Sequence, residues 1–279
     1  MKKIKVKNTK LLFAIFIMIL CVLALCYYNF IFYASYAKDI YTNQVVKIAE
    51  QNENPIFKVH RIMLYSGANA IDKSENETLK DLSICQYTDI AIYIDNTSYI
   101  YDITNENTVK ELYIDNIQIS TNSDLGHQYI NYKNALDFAK YKDIEDPNSD
   151  RIDYTIVNTN EQNENSDYSN PTFYTDCSNP ITLEYMNKDI VTNYSVSGDS
   201  STISFNGKVL EEAGINLNDL GYTLNFDINL VNNLDELFTC HVKFDVSLDK
   251  GDGNSISKGY LYENNTVSGT EYEFLKVVK

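Results

Sequence analysis

The residues best suited to chemistry are few and scattered. Cys240 and His241 are adjacent, and a thiol beside an imidazole can make a nucleophilic pair. The run around them alternates, however. Phe238, Cys240, Val242, Phe244, Val246 and Leu248 share one phase, and Thr239, His241, Lys243, Asp245 and Ser247 share the other. A strand puts these two sets on opposite faces. Cys240 is therefore expected in the core as an inert thiol, with His241 pointing away. The three histidines, His60, His127 and His241, show neither H-x-H nor H-E-x-x-H spacing. They give no zinc signal and read as surface residues. Asp249 to Asn254 gathers oxygen-bearing side chains but lacks the spaced acids and terminal Glu of a calcium loop, so it reads as a hairpin turn. Asn-x-Ser/Thr sequences at Asn76, Asn96 and Asn265 matter only in a glycosylating source. Carboxylates are abundant, and acid–base catalysis needs only two, but no spacing singles out a pair. No catalytic, cofactor-binding or metal residue is assigned, and this weighs against an enzyme.

Leu237-Phe238-Thr239-Cys240 distantly resembles the strand-end nucleophile of sortases, membrane-anchored β enzymes that use Cys, His and Arg. The chain has only Arg61 and Arg151, both before Cys240, whereas the sortase arginine follows its cysteine. The order of residues does not fit.

The elements that must position any site begin with Leu11 to Phe32. This stretch is uncharged and apolar apart from Tyr27, Tyr28 and Asn29. As a helix it is about 33 Å long, roughly the hydrocarbon thickness of a bilayer. Lys2, Lys3, Lys5, Lys7 and Lys10 precede it, and the positive-inside rule places that end in the cytoplasm. Residues 1–10 read as a cytoplasmic tail and 11–34 as a single transmembrane helix in contact with membrane lipid. Everything beyond is expected outside the cell. Cleavage after Ala37, as in a signal peptide, is the rival reading, but the apolar run exceeds a usual signal core. Residues 35–54 read as a juxtamembrane helix, with Ala37, Ile40, Tyr41, Val45, Ile48 and Ala49 on one stripe and Pro55 as the stop.

The plan of tail, membrane helix, extended helix and β domain resembles type IV pilins in outline. The glycine processing site and the glutamate five residues on are missing, since neither residue type occurs before Glu50.

Residues 55–279 read as an antiparallel β-sandwich. Strand-like runs occur at Phe57 to Tyr65, Ile90 to Ile94, Tyr99 to Ile103, Ile152 to Ile156, Ile181 to Tyr185, Ile203 to Phe205 and Gly259 to Tyr262. Leu112 and Ile114 keep one phase while Ile117 and Ile119 keep the other, which predicts a bulge near Asp115-Asn116. Ala68 to Ser83 reads as a polar loop, Asn131 to Lys142 as a short helix or irregular segment, and Val209 to Gly214 as a helical turn. Leu224 to Leu230 and Phe238 to Leu248 predict a long hairpin around Asn232 to Glu236. The polar run 158–171 either divides two lobes or loops out of one sandwich. The fold class is thus mainly β, with a single N-terminal transmembrane helix.

Charge excludes one class of partner. Beyond residue 37 there are 18 basic and 39 acidic residues, a net of −21. Nucleic acid is bound by neutralising phosphates, so it is no partner here. A cation or a basic protein partner outside the cell fits better. Asn, Asp, Ile, Lys and Tyr dominate the composition, the coding bias of an AT-rich bacterial genome. Of the outer cysteines, Cys85, Cys177 and Cys240, at least one is unpaired or pairs between chains; one disulfide, such as Cys85 with Cys177, is open to the rest, though a domain of this size does not need it.

The function these features favour is binding, adhesion or envelope assembly by an anchored β domain, its site at a sheet edge or loop cluster. The alternatives are an extracytoplasmic carboxylate-dependent hydrolase and a pilin-like filament subunit.

Overall fold

The computed structural model describes residues 7–28, 38–43, 45, 55–73, 79–97, 105–133, 141–142, 151–158, 170–196, 208–248, 267–268 and 272–277. The chain falls into two compact units, Met1–Asn54 and Pro55–Val277.

The first unit is helical. Helix α1 spans Lys7–Tyr27, and a short helix, α2, covers 38–43. Leu, Ile, Phe, Met and Ala favour α1, with no Gly or Pro to interrupt it. Every side chain described from 13 to 28 is exposed. No helix among the described residues is long and apolar enough to cross a membrane. The fully described turns, 13–27, amount to about 22 Å of helix, short of a ~30 Å hydrocarbon core. The transmembrane helix expected over 11–34 is therefore not found in the structure, and residues 29–34 lie outside the described part.

The second unit is mainly β. Its strands are β1 (Phe57–Asp72), β2 (Leu82–Asn96), β3 (Val109–Thr121), β4 (His127–Lys133), β5 (Tyr141–Lys142), β6 (Ile152–Val157), β7 (Thr172–Tyr174), β8 (Ile181–Tyr194), β9 (Tyr222–Asn232), β10 (Leu237–Val246), β11 (Val267–Ser268) and β12 (Leu275–Lys276). They form two six-stranded sheets, ordered β11-β1-β2-β8-β4-β5 and β12-β10-β9-β3-β6-β7. All described pairs are antiparallel except β6 with β7. Strands from both sides of 158–171 interleave in both sheets, so that run does not separate two sets of strands.

Alternation builds the core. Val59, Ile62 and Leu64 of β1, Ile90, Ile92 and Ile94 of β2, and Leu224, Phe226, Ile228 and Leu230 of β9 are all buried in one cluster. Aromatic rings join the two sheets. Phe57 meets Phe238 edge-on at 5.2 Å, and Tyr132 meets Tyr154 at 6.1 Å. Such pairs add to area burial because edge and face of the rings carry opposite partial charge.

The C-terminal segment closes one side. Val59 N donates to Tyr272 O, and Lys58 bridges Glu273. Three residues on, β12 pairs with β10. Phe274 goes into the core against Phe57.

Several local expectations hold. The hairpin β9–β10 pairs in register from Tyr222↔Val246 to Val231↔Leu237. The pairing of β3 with β9 shifts between Asp115 and Gln118, with Asn116 at φ 53°. Helix α3, Lys208–Glu212, supplies the expected helical turn.

Others need correction. β1 does not stop at Ser66-Gly67 but pairs with β2 as far as Asp72. Its polar residues are absorbed by the sheet, for Ser66 bonds Thr88 at 2.7 Å and Ala68 is in the core. Residues 131–133 and 141–142 are strand rather than helix. Cys85 and Cys177 form no disulfide; both are free, Cys85 buried in β2 and Cys177 in the turn after β7. The strands expected at 99–103, 203–205 and 259–262 lie outside the described residues.

Candidate functional site

Cys240 and His241 part company as the alternation requires. Cys240 is 1% exposed, and burial pushes its thiol up to about 12. His241 lies on the outer face, its Nδ1 2.7 Å from Asp227 Oδ1. His60 and His127 are exposed on the first sheet. Among the described residues no group of three or more His, Cys, Asp or Glu is placed to hold a metal ion. Asp249 to Asn254, Asn76 and Asn265 lie outside the described part. Asn96 donates its amide to Asn107 O at 2.8 Å, inside the fold.

What the structure does assemble is a polar outer face on the second sheet. Odd-numbered residues of β9 project there, between the outward residues of β10 and β3. Asn229 accepts from Thr239 Oγ1 at 2.7 Å and donates to Asp115 Oδ1 at 2.8 Å. One row on, Asp227 holds His241 on one oxygen and Asn116 Nδ2 on the other at 2.7 Å. Asn225 then donates to Gln118 Oε1 at 3.2 Å, and Thr223 donates to Asp245 at 2.5 Å. At the β6 side, Arg151 lies 3.7 Å over the Tyr113 ring and holds Asp153 at 2.6 Å. The bulge is part of this design. It gives Asn116 the left-handed backbone that turns its amide toward Asp227. Four cross-strand rows thus hold donors and acceptors fixed by their neighbours, with Asn229 itself buried.

A second polar group sits on the outer face of the first sheet and is closed in. Tyr65, Asp89, Glu184 and Asn131 form one cross-strand row over β1, β2, β8 and β4. Lys133 reaches Glu184 Oε1 at 2.6 Å and Asp89 Oδ1 at 3.2 Å. Their side chains are only 9%, 3% and 12% exposed for Lys133, Glu184 and Asp89. Burial pushes the Asp89 carboxyl up to about 6; Lys133 opposes this and Glu184 adds to it. Acid–base chemistry can use two neighbouring carboxylates. Here, though, the ammonium of Lys133 bridges them, and the group is enclosed. It fixes strand register and presents little to solvent.

Sequence reasoning named Cys240, His241 and the histidines but missed these groups. Asn225, Asp227 and Asn229 were legible as the outward phase of β9. Their partners on β3 were not, because the β3–β9 pairing is non-local. Asp89 and Glu184 gave no signal, since each sits in or beside ordinary strand alternation, and Lys133 fell in a run read as helix or irregular.

No protein-family model matches the chain, and neither a curated protein nor a solved structure matches it.

Proposed function

We propose that the protein is a membrane-anchored binding or assembly module, with its β domain outside the cell and the outer face of the second sheet as its contact surface. One observation carries the surface assignment: the chain of hydrogen bonds Thr239–Asn229–Asp115 and His241–Asp227–Asn116. Side chains already held in place lose little freedom when a partner arrives, so their hydrogen bonds contribute more of their strength. Sheet edges are poorer candidates, because β5, β7, β11 and β12 at the ends are only two or three residues long.

Anchoring is supported by α1. Its apolar side chains are exposed on all sides rather than along a stripe, which suits lipid better than one protein groove. The lysines at and before its start favour an orientation with the β domain outside.

The test is photo-crosslinking in cells of the source organism. A crosslinking residue at Asn225 or Lys243 of the full chain is expected to trap one dominant protein. The same residue at Glu211 on α3 is expected to trap none. Equal capture from both places, or none from Asn225 and Lys243, contradicts the proposal. The hydrolase alternative draws on the Asp89–Glu184 pair alone and predicts that Glu184→Gln abolishes turnover while leaving capture at Asn225 intact.

A further inference from the structure

Polar side chains also point inward, at one end of the sandwich. Ser66, Thr88 and Tyr185 make one row across β1, β2 and β8. Gln86, Asn187 and Gln128 make the next. From the second sheet, Tyr222 stacks on Tyr185 with ring centres 3.7 Å apart. Ser66, Gln86, Thr88 and Tyr185 have no exposure at all, and Tyr222 has 2%.

Part of this group is satisfied internally. Ser66 and Thr88 share a hydrogen bond, Gln86 Nε2 donates to Leu220 O at 3.3 Å, and Gln128 Nε2 donates to Asn187 Oδ1 at 3.3 Å. Gln86 Oε1 and Tyr185 Oη complete no hydrogen bond with the protein, while Tyr222 Oη has only Thr88 beside it. Thr88 lies near enough to Tyr222 to ease its ionisation, but burial dominates and holds the phenol well above its usual range. An interior polar atom left dry is costly, and native cores rarely keep one, let alone two in adjacent rows.

The roof over this end is backbone. The 3-10 turn Leu217–Leu220 supplies the Leu220 carbonyl. Gly126, at φ +75°, lies just before β4, where a Cβ would strike the Asn187 side-chain oxygen and come within 2.6 Å of Lys188 O. The glycine lets the backbone close down directly on the polar rows.

We infer that ordered water sits between the sheets at this end of the core, on polar groups the protein leaves without partners. Gln86 Oε1 is its acceptor, and the Tyr185 and Tyr222 phenols each donate to or accept from the water. The ligand class follows from the groups: small, neutral, and able both to donate and to accept. Water meets it, and a buried water needs two to four such partners. The assignment is independent of where the protein sits or what it contacts.

Two readouts on the full chain in detergent micelles test it. Aromatic protons of Tyr185 and Tyr222 are expected to show direct cross-relaxation with long-lived water, lost in Tyr185→Phe. The thermal midpoint of Tyr185→Phe is expected to fall by about 2–4 °C, as for loss of one hydrogen bond in a domain of this size. Gln86→Leu should lower it likewise. A dry interior predicts the reverse: no water contact at either ring, and a midpoint that rises when the stranded hydroxyl is removed. An organic solute released on denaturation and seen by mass spectrometry would also overturn the assignment to water.

Discussion

Asp89 is a carboxylate whose charge the fold disfavours. Its folded pKa, about 6, lies above the ordinary 3.8, chiefly because burial disfavours its charge. The folded state therefore holds the proton more tightly than the unfolded chain. That stability is fully present below about pH 4 and is lost as pH rises through 6. At pH 7 an ionised Asp89 is a buried liability beside Glu184. Asp89→Asn is expected to stabilise the fold at pH 7 by about 1–3 kcal/mol and to flatten the pH dependence between 4 and 7. Urea unfolding across that range checks it. Glu184→Gln should do the opposite, since it takes the 2.6 Å partner from Lys133. Breaking one side of a buried pair costs about 3 kcal/mol. Cys240, by contrast, is inert. Its thiol is expected to react with a disulfide reagent only as fast as the protein unfolds. Reaction at the native rate of an exposed thiol would contradict its burial.

At the scale of elements, the local pattern was legible and the pairing was not. The β9–β10 hairpin could be read because both strands alternate over ten residues around a short turn. The bulge at Asp115-Asn116 could be read because the apolar phase slips there. The second half of β1 could not, since Ser66, Asn69 and Asp72 look like loop residues until Thr88, Cys85 and Leu82 of β2 lie opposite them. Lys133 likewise looked like a helix or coil residue, because its partner Glu184 comes from another strand 51 positions away. Two residues with left-handed backbone each carry a prediction. Gly126→Ala puts a Cβ into Asn187 at a positive φ, so it should cost at least about 2 kcal/mol by chemical denaturation. Asn116→Val puts a β-branched residue at φ 53° and removes the Asp227 contact. It should weaken partner capture from the outer face more than Asn116→Gly, which keeps the backbone relaxed.

For the whole molecule, sequence supplied class and charge, while structure supplied the sheets. The antiparallel β architecture followed from many short alternating runs. How the twelve described strands sort into two sheets did not, because sheet order is set by contacts far apart in sequence. The candidate surface emerged only from that order, which brings β3 beside β9 and so Asp115 and Asn116 beside Asp227 and Asn229. Its setting is the membrane anchor proposed for the uncharged run 11–34. The account rests on the second sheet's outer face being displayed outside the cell on a lipid-embedded chain. Lys243 lies exposed on that face, so Lys243→Cys reports on it directly. With a membrane-impermeant maleimide on intact cells, the account predicts labelling without lysis, with the labelled chain staying in the membrane pellet after an alkaline carbonate wash. Labelling that appears only after lysis, or labelled chain in the wash, contradicts it.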